Sequence, residues 1–171
     1  MEQEYAAFQI YAENFAWLDG SPDDPEDLCL HGKVTVQVGE EILQYDCCVS
    51  AAALQMLRTL TEDHEPTPGE QMLPCCGHSM YPGDSMLNTV FISGCDNGVD
   101  YAVRHDGIDV YIVTEKAQWK VNLLDYRQQV LRFAMQVQEF YRICSPKHLP
   151  ENRLERDGYL AFWREWGWRM P

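Results

Sequence analysis

The sequence predicts an α+β fold: an antiparallel sheet of about six to seven strands, a hairpin plus a four-stranded meander, packed by three helices on one face. Three observations lead there. Apolar residues alternate at period two in short runs separated by turn residues, which is the pattern of hairpins. The longest helical pattern follows those runs instead of alternating with them, which argues against repeated βαβ units. No glycine-rich phosphate cradle joins a strand to a helix, so a doubly wound nucleotide-binding sheet is excluded. With 171 residues, 46% hydrophobic and 12% aromatic, the chain is large enough to bury a core as one domain over 1–171.

Taken in order, 8–11 (FQIY) reads as a first strand, and 19–27 (DGSPDDPED) as an acidic loop. That loop lacks the alternating oxygen ligands and central glycine of a calcium-binding loop. In 30–38, Leu30, Val34, Val36 and Val38 share one face, with His31, Lys33, Thr35 and Gln37 on the other. Gly39-Glu40 turns the chain into a partner strand at 42–49, where Cys47 falls in phase with Leu43 and Tyr45 as a buried thiol. Ser50 is the expected cap of a helix over 51–61, which Pro66 and Pro68 cannot prolong. No periodicity survives over 64–86, and this stretch is expected to be a long irregular loop. Compact domains seldom keep such loops unless they bind or cover something. Strands are then expected at 87–93, 99–103, 108–112 and 118–121, with turns at Asp96-Asn97-Gly98 and Asp106-Gly107. Asn122 is placed to cap a long helix whose apolar face runs from Tyr126 through Val130, Phe133, Val137 and Phe140 to Cys144. A last helix over 151–168 puts Tyr159, Phe162, Trp163 and Trp166 on one face, with Arg153, Arg156, Arg164 and Arg169 on its polar side.

The net charge is −14, and it is unevenly spread. Residues 1–70 carry 15 acids against Lys33 and Arg58, a net of −13, and the remainder of the chain carries −1. Such a surface repels a phosphate backbone, so no nucleic-acid partner is expected. It attracts a basic protein. On this ground Asp23, Asp24, Glu26 and Asp27 are candidate recognition residues, and Trp168, beyond the helical pattern, is a candidate exposed contact. No run of 18 apolar residues exists, so no membrane span is expected. The acidic start at Met1 to Tyr5 has no secretory pattern. A cytoplasmic location is the expectation.

The chemistry-bearing stretch is Leu73-Pro74-Cys75-Cys76-Gly77-His78. Thiolate and imidazole together suit Zn²⁺ in a tetrahedral site, and Cys75, Cys76 and His78, joined by Cys95 from the Gly94-Cys95-Asp96 turn, form the candidate metal set. Adjacent cysteines point apart, so only one of Cys75 and Cys76 is expected to bind. Cys29-Leu30-His31 is a second Cys-x-His pair able to fold towards the same place. A thiol-dependent enzyme would instead make Cys76 or Cys75 a thiolate, with His78 or His64 as base and Asp63, Asp96 or Asp100 orienting it. A redox pair would join Cys76 to Cys95, since neighbouring cysteines bridge only in a strained ring. The odd count of seven cysteines cannot be fully paired within one chain. In a reducing compartment such residues are core fillers, ligands or nucleophiles.

Asp27-Leu28-Cys29-Leu30-His31-Gly32, the run 73–78, Gly94-Cys95-Asp96-Asn97-Gly98-Val99-Asp100 and the stretch 158–166 together resemble a set of small bacterial cytosolic proteins. The resemblance spans most of the chain. It implies a bacterial, soluble, single-domain protein and brings no activity, ligand or catalytic residue with it. Two functional readings follow from the residues. One is a non-enzymatic binding protein whose acidic N-terminal region recognises a basic partner, in the manner of an immunity or antitoxin-like inhibitor. The other is a zinc-binding or thiol-dependent protein centred on Cys75-Cys76-Gly77-His78.

Overall fold

Two hairpin-built sheets frame the molecule, in a computed structural model that describes residues 2–171. The first sheet contains β1 (Phe8–Ala16), β2 (His31–Val38) and β3 (Glu41–Cys48), antiparallel in that order. Phe8, Ile10, Val34, Val36 and Val38 are all buried, as period-two alternation requires of one covered face. The chain then enters α1 (Val49–Arg58) directly from β3. Cys48 occupies the cap position without a side-chain bond, and Ser50, expected to be the cap, lies buried inside the first turn. All of α1 from Val49 to Leu57 is buried, because it packs against β2 and β3 as well as both other helices.

The expected four-stranded meander is divided. Only β8 (Ala102–Asp106), β9 (Asp109–Val113) and β10 (Gln118–Asn122) form a meander, with Gly107 at φ +61° in the two-residue turn between β8 and β9. The strands before it find partners inside the stretch expected to be irregular. β4 (Leu73–Pro74) pairs with β7 (Gly98–Val99), and β5 (Ser79–Pro82) pairs with β6 (Val90–Ser93). The single larger sheet is thus replaced by two three-stranded sheets and two short pairs. A backbone bond from Ala6 N–H to Lys120 O, 2.7 Å, links the two larger sheets at one edge.

Asp100 holds the first part of the stretch, from His64 to Met72, where no strand forms. Its Oδ1 accepts from Met72 N–H at 3.1 Å and Tyr101 N–H at 3.0 Å, and lies 2.7 Å from His64 Nε2. Its Oδ2 accepts from Thr67 N–H at 2.9 Å. One carboxylate replaces the ladder bonds that this backbone lacks. His64 adds a pair of backbone bonds to Val103, both 2.8 Å.

α2 (Leu123–Ile143) starts where predicted, with the Asn122 side chain accepting from Leu124 N–H. Tyr126, Val130, Phe133 and Val137 are buried, and the helix rests on β1, β9, β10 and α1. α3 (Arg153–Arg169) is capped by Asn152 and buries Tyr159, Phe162 and Trp166. Arg169, assigned by periodicity to the polar side, is only 4% exposed. It joins a buried ion network on Glu165, which is fully enclosed. Arg58 grips that carboxylate with two bonds of 2.8 and 2.9 Å, Arg169 Nε donates at 2.9 Å, and Val90 N–H donates at 2.8 Å. Burial alone would raise the Glu165 carboxyl; the bonds and charge of Arg58, with Val90 and Arg169, outweigh it and hold the group below its ordinary value. This network ties α3 to α1 and β6. Among the described residues, no helix is long and apolar enough to cross a membrane.

Candidate metal centre

Cys75, Cys76 and Cys95 converge, with their sulfurs all within 4.8 Å of one another. Three local features bring them together. Pro74 ends β4, so the backbone at Cys75-Cys76 leaves the strict alternation that would throw the two sulfurs to opposite sides. Cys75 N–H donates to Asn97 O at 3.4 Å, which brings in the turn carrying Cys95. Gln71 Nε2 donates to Cys95 O at 3.1 Å. Both neighbouring cysteines therefore take part, where the sequence led us to expect one.

Cys76 Sγ and Cys95 Sγ are 3.4 Å apart. In a tetrahedral Zn²⁺ site with Zn–S of 2.3 Å, two sulfurs are separated by about 3.8 Å, so the pair needs only a few tenths of an ångström to accept an ion. The three thiols also divide their protons unequally. Cys76 is pushed up to about 11, first by its hydrogen bond to Cys95, then by burial and the neighbouring Cys75. Cys95 is held below the ordinary thiol value by the Asn97 backbone N–H and by Cys76. Of these two, Cys95 gives up its proton more readily. The phenol of Tyr45 lies against Cys75 and is raised by it. All three cysteines are half-buried, so an ion can reach them.

His78 does not join this group. It stands with Cys29 and His31, whose ligand atoms lie within 4.8 Å of one another and of its own. The division falls at Gly77, which separates Cys76 from His78 and lies hard against Cys48 and Ala51. A Cβ at position 77 would overlap Cys48 Sγ and sit 2.9 Å from Ala51 Cβ, so only glycine lets the loop lie this close to α1. His31 and Cys48 face each other in the β2–β3 register, and Cys48 is disulfide-bonded to Cys29. The Nε2 atoms of His31 and His78 are 3.1 Å apart. The sequence pointed to Cys29-x-His31 as a second pair, but nothing in it announced that His78 would go there or that Cys48 would reach Cys29.

The acidic loop is held inward by its own carboxylates. Asp23 accepts from the backbone N–H of Ser145 and, at 2.7 Å, from its hydroxyl. Asp24 Oδ1 accepts from Glu26 N–H, and Glu26 pairs with His148. Asp27 accepts from Leu18 N–H at 2.6 Å and Cys29 N–H at 3.0 Å, and stands 4.0 Å from His78 Nδ1. Lys147, donating to Asp24 O and stacked over the Trp17 ring, completes the clamp. These acids fasten the loop to the connection between α2 and α3. Trp168 is 49% exposed, with its indole N–H donating to Asn88 O. Two further histidines pair with acids outside the thiol cluster, His64 with Asp100 and His105 with Asp63. Cys47 is buried as expected, and burial pushes its thiol up to about 12.

No protein-family model, curated protein or solved structure matches the chain.

Proposed function

We propose that this protein binds zinc through a three-thiolate centre formed by Cys75, Cys76 and Cys95. The observation that carries the reading is the convergence of three free sulfurs from two separate segments. Clustered thiols gain only weak S–H hydrogen bonds, such as that from Cys76 to Cys95, whereas a cation would let all three serve as thiolates at once. Soft sulfur donors select zinc or copper(I) over magnesium and calcium. Three protein ligands leave the fourth tetrahedral position to water or an exogenous group. Because the thiols must stay reduced to serve, this reading belongs to a reducing compartment.

The experiment is elemental analysis of the full chain purified under reducing conditions, beside a Cys76→Ser/Cys95→Ser variant. The variant should hold one zinc fewer per chain than the parent while keeping its circular dichroism. Equal zinc in the two folded proteins would remove the proposal.

Recognition of a basic protein by the acidic half of the chain is a second reading, supported by the −13 carried on residues 1–70. Asp23 and Glu26 of the acidic loop stay exposed while they hold the loop in place, and exposed Glu2, Glu4 and Glu13 extend the acidic surface such a partner would meet. Binding to a cationic protein that ignores salt concentration would remove this reading.

A further inference from the structure

Cys29 lies where two incompatible arrangements meet. Its sulfur is bonded to that of Cys48, yet the same sulfur is within 4.8 Å of nitrogens of both His31 and His78. A sulfur engaged in a disulfide has no thiolate to give a metal. We propose that Cys29, His31 and His78 form a second divalent-cation site, of the zinc class, that is opened by reduction of the Cys29–Cys48 disulfide and closed by its formation. This site shares no ligand with the three-thiolate centre and stands or falls independently of it.

The geometry supports each part. With Zn–N of about 2.0 Å, two imidazole nitrogens on one tetrahedral zinc are separated by about 3.3 Å; the His31 and His78 Nε2 atoms are 3.1 Å apart. In the disulfide state one imidazole donates its Nε2 hydrogen to the other, and in the reduced state both nitrogens turn their lone pairs to the ion. Cys29 lies on a bend two residues before His31, the first residue of β2; that bend brings its sulfur within 4.8 Å of the imidazole nitrogens, and β2 holds His31 in register with Cys48. Asp27, whose carboxylate stands 4.0 Å from His78 Nδ1 and is not hydrogen-bonded to it, places a negative charge beside the two imidazoles that favours a bound cation. His78 and Asp27 also border a cleft of about 330 Å³, so the His78 side of the site is open to solvent.

The switch balances as follows. A dithiol transfers two electrons and two protons to the bond between Cys29 and Cys48, leaving two thiols and its own cyclic disulfide. The Cys29 proton is then lost to solvent as the thiolate meets the cation. In the closing direction, hydrogen peroxide accepts the two electrons: a thiolate attacks the O–O bond to give a sulfenic acid and hydroxide, the hydroxide takes a proton from solvent to become water, and the second thiol then displaces a further water from the sulfenic acid to form the disulfide.

The test uses the full chain carrying Cys76→Ser and Cys95→Ser, which silences the three-thiolate centre, with Co²⁺ as the probe in the absence of air. One sample is reduced with a dithiol that is then removed. The other is oxidised with diamide, and its Cys29–Cys48 bond is verified by peptide mass mapping. The reduced sample should take up one Co²⁺ per chain, with tetrahedral visible bands and a thiolate-to-cobalt absorption; the oxidised sample should bind at least 100-fold more weakly. His31→Ala and His78→Ala should each lower affinity of the reduced sample at least tenfold. Cys48→Ser, in which Cys29 has no partner, should bind alike before and after diamide. Equal binding in both redox states of the parent, or a folded reduced sample that binds no Co²⁺ or is indifferent to both histidine changes, would overturn the proposal.

Discussion

The two sulfur clusters lie either side of a single glycine, yet they are built in opposite ways. The Cys75/Cys76/Cys95 group is carried by irregular backbone, half-exposed, and made of one ligand type. The Cys29/His31/His78 group is anchored on β2 and on the buried Cys29–Cys48 pair, and mixes nitrogen with sulfur. The first depends on a hub, Asp100, for its shape; the second depends on a strand register. Order in a loop without a ladder has to come from side chains that replace backbone bonds, and here one carboxylate does so for three N–H groups and a histidine.

This contrast is open to attack at several places. The largest expected effect falls on both clusters together. Glu165→Ala leaves the part-buried Arg58 without its counter-charge and Arg169 with only Glu62, and should cost about 3 kcal/mol in urea unfolding, weakening metal binding at both sites as the frame loosens. The same carboxylate sets an acid limit. Its folded value lies below the ordinary glutamate value, so its stabilisation is full above that ordinary value and lost as pH falls through the folded one. Stability measured against pH should therefore fall on the acid side in the parent, and fall less in Glu165→Gln.

Asp100→Ala should separate the two sites. Losing the acceptor for three backbone N–H groups should cost about 3 kcal/mol and weaken zinc at the three-thiolate centre, while the strand-borne site keeps its affinity; competition with a chromophoric chelator reads both. Gly77→Ala should cost about 1–3 kcal/mol through overlap with Cys48 Sγ and Ala51, and should displace His78 more than Cys76, seen as weaker Co²⁺ uptake by the reduced protein. Asp27→Asn should reduce cation affinity at the histidine site about tenfold, leaving the thiol site unchanged. The smallest effect is an order of reaction. Iodoacetamide near neutral pH should label Cys95 before Cys76, and Cys47 last, because thiolate is the reacting form and these thiols are lowered, raised to about 11 and raised to about 12. Peptide mapping that finds Cys76 labelled first would break the proton division proposed for the cluster.

The parts of the fold legible in the sequence were those whose cause is local. The Gly39-Glu40 and Asp106-Gly107 turns, the Asn122 cap and the apolar faces of α2 and α3 all follow from short-range patterns. What was not legible depended on distant partners. β4 and β5 are too short to show alternation and exist because β7 and β6 lie beside them. Arg169 looks polar by periodicity and is buried because Glu165 awaits it. At the site, the attraction between Cys75, Cys76 and Cys95 could be read from composition, but the assignment of His78 could not: it depends on the packing of Gly77 against Cys48 and Ala51, distant partners that no local pattern announces.

Zinc K-edge X-ray absorption of the reduced His31→Ala/His78→Ala protein tests the central claim most directly, because the histidine site is then disabled. The account predicts bound zinc with three sulfur neighbours at about 2.3 Å and one lighter atom in the remaining position. A shell of nitrogen and oxygen alone, or a folded, reduced protein that retains no zinc, would contradict it.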